Sequence, residues 1–161
     1  VGFKAVIFFV FVYSCSLDTR DKGHSKHQKE IVLQQTVRDF IGSSEDHDYF
    51  LIYYFDGECS LCFDNVVNLQ KLVEVEFFHV ASISIGFSNN SLLFDYYKTK
   101  FDLGNNVLFD AYDFLAINNQ DLMLNDVFLI NRRLEILASG NPLDNVRVLR
   151  NYKEVISIHE K

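Results

Sequence analysis

The chain has 161 residues, is 48% hydrophobic and 23% charged, and carries 15 Lys plus Arg against 22 Asp plus Glu, for a formal net charge of -7. Its length and apolar fraction suit a folded domain with a real core, and its three cysteines are too few for a disulfide-built scaffold. Phosphate contacts dominate nucleic-acid affinity, so an acidic chain with no basic run is not expected to bind DNA or RNA.

In chain order, residues 1–15 stand apart. Lys4 precedes an apolar run over residues 5–13. That run is shorter than the roughly 20 residues a bilayer span takes, and it fits the hydrophobic region of a secretory signal. It ends in Val12-Tyr13-Ser14-Cys15, which resembles a bacterial lipoprotein signal in which Cys15 becomes the lipidated N-terminus. Ser14 and Val12 fit that pattern, whereas Tyr13 is bulkier than usual. The alternative is a buried N-terminal strand, because a β-branched and aromatic run also reads that way. Residues 16–30 hold mixed charge and almost nothing apolar, which marks a solvated polar tether. His24 and His27 lie in it and are expected to be solvated rather than metal ligands.

Residues 31–161 are expected to form the folded domain. Ile31, Val32, Val37, Phe40 and Ile41 recur at roughly helical spacing, with Gly42 placed as the C-cap. Residues 49–55 are a continuous apolar run of strand length, as in a strand buried on both faces, and the run breaks at Asp56-Gly57. A helix follows from Ser60, with Leu61, Val66, Leu69, Leu72 and Val73 along one side. A second strand is expected near residues 76–81. Leu92, Leu93, Tyr96, Tyr97 and Phe101 mark another amphipathic helix, and a short strand at residues 106–109 precedes a weaker helical stretch at 112–117. Strands at 127–130 and 134–138, joined by Asn131-Arg132-Arg133, read as an antiparallel hairpin. Gly140-Asn141-Pro142 ends it, and Val146, Leu149, Tyr152 and Ile156 line a final helix. Strand–helix–strand order followed by a hairpin and a helix is an α/β architecture with a mixed sheet and helices on both faces.

The chemical signature is Cys59-Ser60-Leu61-Cys62, between a buried strand and an amphipathic helix. A cysteine at a helix N-terminus faces free amide N–H groups and the positive end of the dipole, which stabilise its thiolate. A second cysteine three residues on lies one turn along the same face and can attack the resulting mixed disulfide. Cys59 is thus the candidate nucleophile and Cys62 the resolving thiol. Asp56, Glu58 and Asp64 are candidates for a proton relay to Cys62, with plain solvation as the alternative.

The strand, the cysteine pair and the following helix resemble the thioredoxin fold, specifically its membrane-tethered, redoxin-like branch in bacteria. Residues 127–131, Leu134-Glu135-Ile136 and Gly140 resemble that family's closing hairpin, and the likeness spans roughly residues 45–158. The resemblance implies a thioredoxin-like three-layer α/β/α domain with a central mixed sheet and a C-terminal β-hairpin plus helix. It also implies thiol–disulfide exchange with thiols or disulfides of exported proteins, with electrons from a membrane-borne reductant. The location implied is the bacterial cell envelope, lipid-anchored at Cys15 on the periplasmic face. No cofactor and no metal are implied.

The family usually carries a cis-proline just before the hairpin. That position falls here at Asn125 or Asp126, which become the candidates for a substrate groove, while the single proline is Pro142. A cis bond to a non-proline residue costs about 2.5–4 kcal/mol, so a trans peptide is expected. The aromatic residues common before the motif are replaced by Asp56-Gly57-Glu58. Carboxylates disfavour a nearby thiolate, and thiolate stabilisation is what makes such couples oxidising, so a reducing pair is expected. Two other readings stay open. A C-x-x-C also holds soft metals such as Cu(I), with His79 as a candidate third ligand. Alternatively, the pair is a structural disulfide in a non-catalytic lipoprotein.

Overall fold

The computed structural model describes residues 29–159. The proposed signal at 1–15, with its Cys15, and nearly all of the proposed tether at 16–30 lie outside the described residues. Lys29 and Glu30 are described, and both touch the fold: the Lys29 ammonium pairs with Asp121 and Glu30 bridges to Glu135.

The apolar run at the centre of the sequence becomes the central strand, β1 (Tyr49–Asp56). It pairs in parallel with β2 (Val80–Phe87) and antiparallel with β4 (Val127–Asn131). β3 (Val107–Asp110) extends the sheet beyond β2, and β5 (Ile136–Ser139) extends it beyond β4, in the order β3-β2-β1-β4-β5. Successive side chains of a strand point to opposite faces, and β1 therefore feeds two cores. Leu51, Tyr53 and Phe55 pack with Phe63, Val66, Leu69, Phe94 and Tyr152. Phe50, Ile52 and Tyr54 pack with Ile31, Leu33, Val37, Ile41 and Leu115. The first face is covered by α2 (Ser60–Glu76), α3 (Ser91–Lys100) and α5 (Val146–His159). The second is covered by the extended residues 30–34, α1 (Gln35–Ser43) and α4 (Phe114–Asn118). This is the three-layer thioredoxin-like arrangement, with a five-stranded mixed sheet and a closing hairpin and helix.

Several elements differ in detail from the sequence expectation. Ile31 and Val32 precede α1 rather than belonging to it. Ile31 and Leu33 are buried while Val32 is exposed, the alternation of an extended chain. Asn119 holds this stretch in place: its Oδ1 accepts from Val32 N at 2.8 Å and its Nδ2 donates to Val32 O at 2.9 Å. Gly42 lies inside α1, and Ser44 is the C-cap. The second strand starts at Val80 because α2 continues to Glu76 before the chain turns at Phe77. In α3 the buried residue is Phe94, whereas Leu92 and Tyr96 are exposed. In α5 Val146 is exposed, and Tyr152 and Ile156 carry the burial.

Candidate active site

Because β1, β2 and β3 run in parallel, the loops that follow them gather at one end of the sheet. The start of antiparallel β4 arrives at the same end, and the site is assembled there. Asp56 ends β1, and its Oδ1 accepts from Glu58 N at 2.9 Å, which closes a tight turn into the cysteine motif. Gly57 N donates to the Phe87 carbonyl at 2.7 Å, which ties this turn to the end of β2. A side chain at Gly57 has no room, since its Cβ would lie 2.8 Å from the Phe94 ring and 3.0 Å from Phe87 O. Behind the motif, Phe63 meets Phe55 edge-on at 5.0 Å between centroids and packs with Phe94 and Tyr97.

Cys59 is the N-cap of α2. Its Sγ accepts from Cys62 N at 3.3 Å, with the backbone extended at φ -100 and ψ 110. The sulfur therefore occupies the place of the usual capping oxygen at the head of α2, sharing the Cys62 N–H with the Cys59 carbonyl, which accepts it at 3.0 Å. Cys59 is half-buried, and Cys62 is only 8% exposed. Burial pushes the Cys62 thiol up to about 12, helped by its hydrogen bond to Cys59 and by the charges of Cys59 and Asp56, against a smaller opposing contribution from the Asp56 backbone. The two sulfurs are thus chemically unequal, an accessible one on the helix dipole and a buried one held as the thiol.

Asn125 reaches this pair. Cys62 Sγ donates to Asn125 Oδ1 at 3.7 Å, and the Tyr53 hydroxyl donates to the same oxygen at 3.2 Å. Asn125 has φ +74, a left-handed conformation that Asn tolerates better than most residues. Its N–H donates to Tyr54 O at 2.7 Å, while Tyr54 N donates to Asp126 O at 2.9 Å, so β1 itself fixes the loop. All peptides among the described residues are trans, as expected at Asn125 and Asp126. Asp126 plays a different part: its Oδ2 accepts from Met123 N at 2.7 Å within its own turn.

The proposed proton-relay carboxylates separate. Glu58 Oε1 accepts from Ser88 Oγ at 3.1 Å and from Asn89 N at 3.0 Å, which turns it toward the loop after β2. Asp64 is exposed and, two residues beyond Cys62 on a helix, faces a different side. Asp56 alone acts on Cys62. His79, the candidate third metal ligand, sits just before β2 at the opposite end of the sheet and is exposed, because the strand begins after it. A cavity of about 440 Å³ lies at that far end, lined by His47, Gln70, Phe77 and Phe78 among others, and contains no cysteine. Among the described residues no group of three or more His, Cys, Asp or Glu is placed to hold a metal.

The sequence did not single out Tyr53 or Asn65. Burial raises the Tyr53 hydroxyl far above its usual range; a side-chain hydrogen bond with Asn65 opposes this, and the two cysteines add to it. The signal was available: a buried tyrosine hydroxyl requires a partner, and alternation puts Tyr53 on the same sheet face as Phe55, under α2. Beside Cys59, Leu61 is 72% exposed next to the exposed carboxylates Glu58 and Asp64, and Tyr112 and Met123 are exposed on loops at the same end of the sheet. Tyr54 is buried, its hydroxyl donating to Asp113.

No protein-family model matches the chain, and no curated protein matches it. Solved structures do. An assigned thiol-disulfide oxidoreductase from Bacteroides vulgatus is similar at TM-score 0.58 and 15% identity, over 73% of this chain and 79% of that one. A thioredoxin-like protein from Parabacteroides distasonis is similar at TM-score 0.52 and 17% identity, over 66% and 82%. A protein assigned as the thiol:disulfide interchange protein DsbE from Chlorobium tepidum is similar at TM-score 0.52 and 12% identity, over 71% and 84%. At these identities the likeness establishes the fold: the chain has a thioredoxin-like fold, structurally similar to bacterial thiol-disulfide oxidoreductases, with Cys59 and Cys62 close together at the head of α2.

Proposed function

We propose that this protein is a thiol–disulfide oxidoreductase that reduces disulfides of exported proteins, tethered to a bacterial envelope through Cys15. The observation that carries the reading is the inequality of the cysteines: an accessible Cys59 sulfur capping α2 and a buried Cys62 one turn behind it. In the first step the Cys59 thiolate attacks a client disulfide, forming a mixed disulfide and expelling one client thiolate. In the second, Cys62 loses its proton to solvent and attacks Cys59 Sγ. The second client sulfur leaves and takes up a proton. Two electrons pass to the client, the Cys59–Cys62 disulfide remains, and a membrane-borne reductant restores the dithiol. Exposed Leu61, Tyr112 and Met123 suit polypeptide clients with apolar residues beside the disulfide. The likeness to assigned thiol-disulfide oxidoreductases supports the same chemistry, and among the described residues no helix is long and apolar enough to cross a membrane, in keeping with a tether outside them.

The test is trapping. The full chain carrying Cys62→Ser should accumulate mixed disulfides through Cys59, and these should vanish when Cys59 is also replaced. Stoichiometric binding of a soft metal by the reduced protein, without adducts, would assign a metal-binding module instead. Neither adducts nor metal would leave a structural cysteine pair. A measured potential near that of strong periplasmic oxidants, about -120 mV, would overturn the reducing direction.

A further inference from the structure

Within the exchange reaction proposed above, on which this inference rests, we propose that Tyr53 and Asn125 are positioning residues for the resolving step: Asn125 Oδ1 holds the Tyr53 hydroxyl beside Cys62, and that hydroxyl turns to the sulfur when Cys62 loses its proton.

The geometry carries the argument. One amide oxygen has two lone pairs, and here they serve Cys62 Sγ at 3.7 Å and Tyr53 Oη at 3.2 Å. With Cys62 as a thiol, both donors are satisfied on a shared acceptor. Once Cys62 ionises, its sulfur has no proton to give, and a buried anion would face an oxygen of the same partial charge. An unpaired buried charge is costly, so the resolving thiolate needs a donor. The Tyr53 hydroxyl supplies it by rotating about its C–O bond, with no heavy atom displaced. The same hydroxyl interacts with both cysteines and with Asn65. Among the described residues the titratable or charged groups acting on Cys62 are Cys59 on α2 and Asp56 at the end of β1, with the Tyr53 hydroxyl also on β1. From the loop, neutral Asn125 faces it, while the Asp126 carboxylate turns to Met123 N. A carboxylate at Tyr53 would take the proton; a tyrosine cannot, and donates instead. Resolution is therefore assisted by a donor rather than by a base. In that step the Cys62 proton leaves to solvent, the Cys59–Cys62 bond forms, the Cys59–client bond breaks, and the departing client sulfur is protonated.

The experiment uses the full reduced chain with Cys15→Ser and an aromatic disulfide reagent whose released thiolate is coloured. The first release reports attack by Cys59, and the second reports resolution by Cys62. Tyr53→Phe should slow the second phase about tenfold at neutral pH, far more than it affects the first, and displace the second phase's pH profile upward by about one unit. Asn125→Gly removes the carboxamide while accommodating the left-handed backbone, and should slow the second phase by a smaller factor. A second phase with the same pH profile in Tyr53→Phe as in the parent overturns the proposal, as does equal slowing of both phases. A parent chain that shows no second phase at all refutes the exchange reaction itself, a distinct outcome.

Discussion

A buried thiol held protonated has a consequence for the whole fold. In the folded chain the Cys62 thiol keeps its proton up to about 12, whereas in the unfolded chain it ionises from its ordinary value of 9.0. Between those limits the native state binds one more proton than the unfolded state, so stability is lost as pH rises. The slope is about 1.4 kcal/mol per pH unit once the unfolded thiol is ionised. Raising the pH from about 8 to about 10 should therefore cost on the order of 1 kcal/mol from this group alone, a sizeable share of the roughly 5–15 kcal/mol that holds a domain together. Above about pH 10 the buried hydroxyls of Tyr53, Tyr54 and Tyr152, all raised by burial, add losses of the same sign. Urea unfolding of the reduced chain at both pH values, beside Cys62→Ser, isolates the thiol. The parent should lose on the order of 1 kcal/mol more than the serine variant over that interval. Equal losses in the two proteins would refute the claim that Cys62 is held as a buried thiol.

Three further outcomes follow from the packing. Asp110 is fully buried, and its carboxylate accepts from Gln34 Nε2 at 2.9 Å and from Phe114 N and Leu115 N at 3.0 and 3.1 Å. Asp110→Ala should cost about 3–5 kcal/mol in urea unfolding, because several donors lose a charged acceptor at once. Gly57→Ala forces a methyl group against the Phe94 ring and the Phe87 carbonyl, and should cost about 1–3 kcal/mol while slowing client attack by Cys59. Brief alkylation of the reduced chain at neutral pH, read by peptide mass, should modify Cys59 well before Cys62, and the preference should fade under denaturing urea.

The architecture was legible where one residue pattern admits one structure. The uninterrupted run at residues 49–55 has no polar face, so it had to be a strand covered on both sides. The hairpin was marked by two apolar stretches around Asn131-Arg132-Arg133. Errors arose where two periods coexist: Ile31, Val32 and Val37 fit a helical spacing by chance, while Ile31 and Leu33 obey the strand period. Phe77 is apolar and yet only caps α2, so the second strand begins later than the apolar residues suggest; the alternation of Ser82, Ile83, Ser84 and Ile85 is the truer signal. At the site, local spacing gave Cys59 and Cys62, since both roles depend on one helix terminus. Asn125 was reached through its place before the hairpin. Its hydrogen bond to Cys62 was not legible, because it bridges 63 residues of sequence. Tyr53 was hidden in plain sight among aromatic residues that fill the core.

Neighbouring Tyr53 and Tyr54 point to opposite faces of the sheet, and each hydroxyl is answered by a different loop: Asn125 on one side, Asp113 on the other. The strand that presents the cysteines thus dictates the shape of two segments that border them. A replacement loop that lacks the acceptor takes a hydrogen bond from a buried hydroxyl on either face. Transplanting a new client preference onto this scaffold therefore requires keeping Asn125 and Asp113 as fixed posts and varying only the residues between and beyond them, Tyr112 and Met123 foremost.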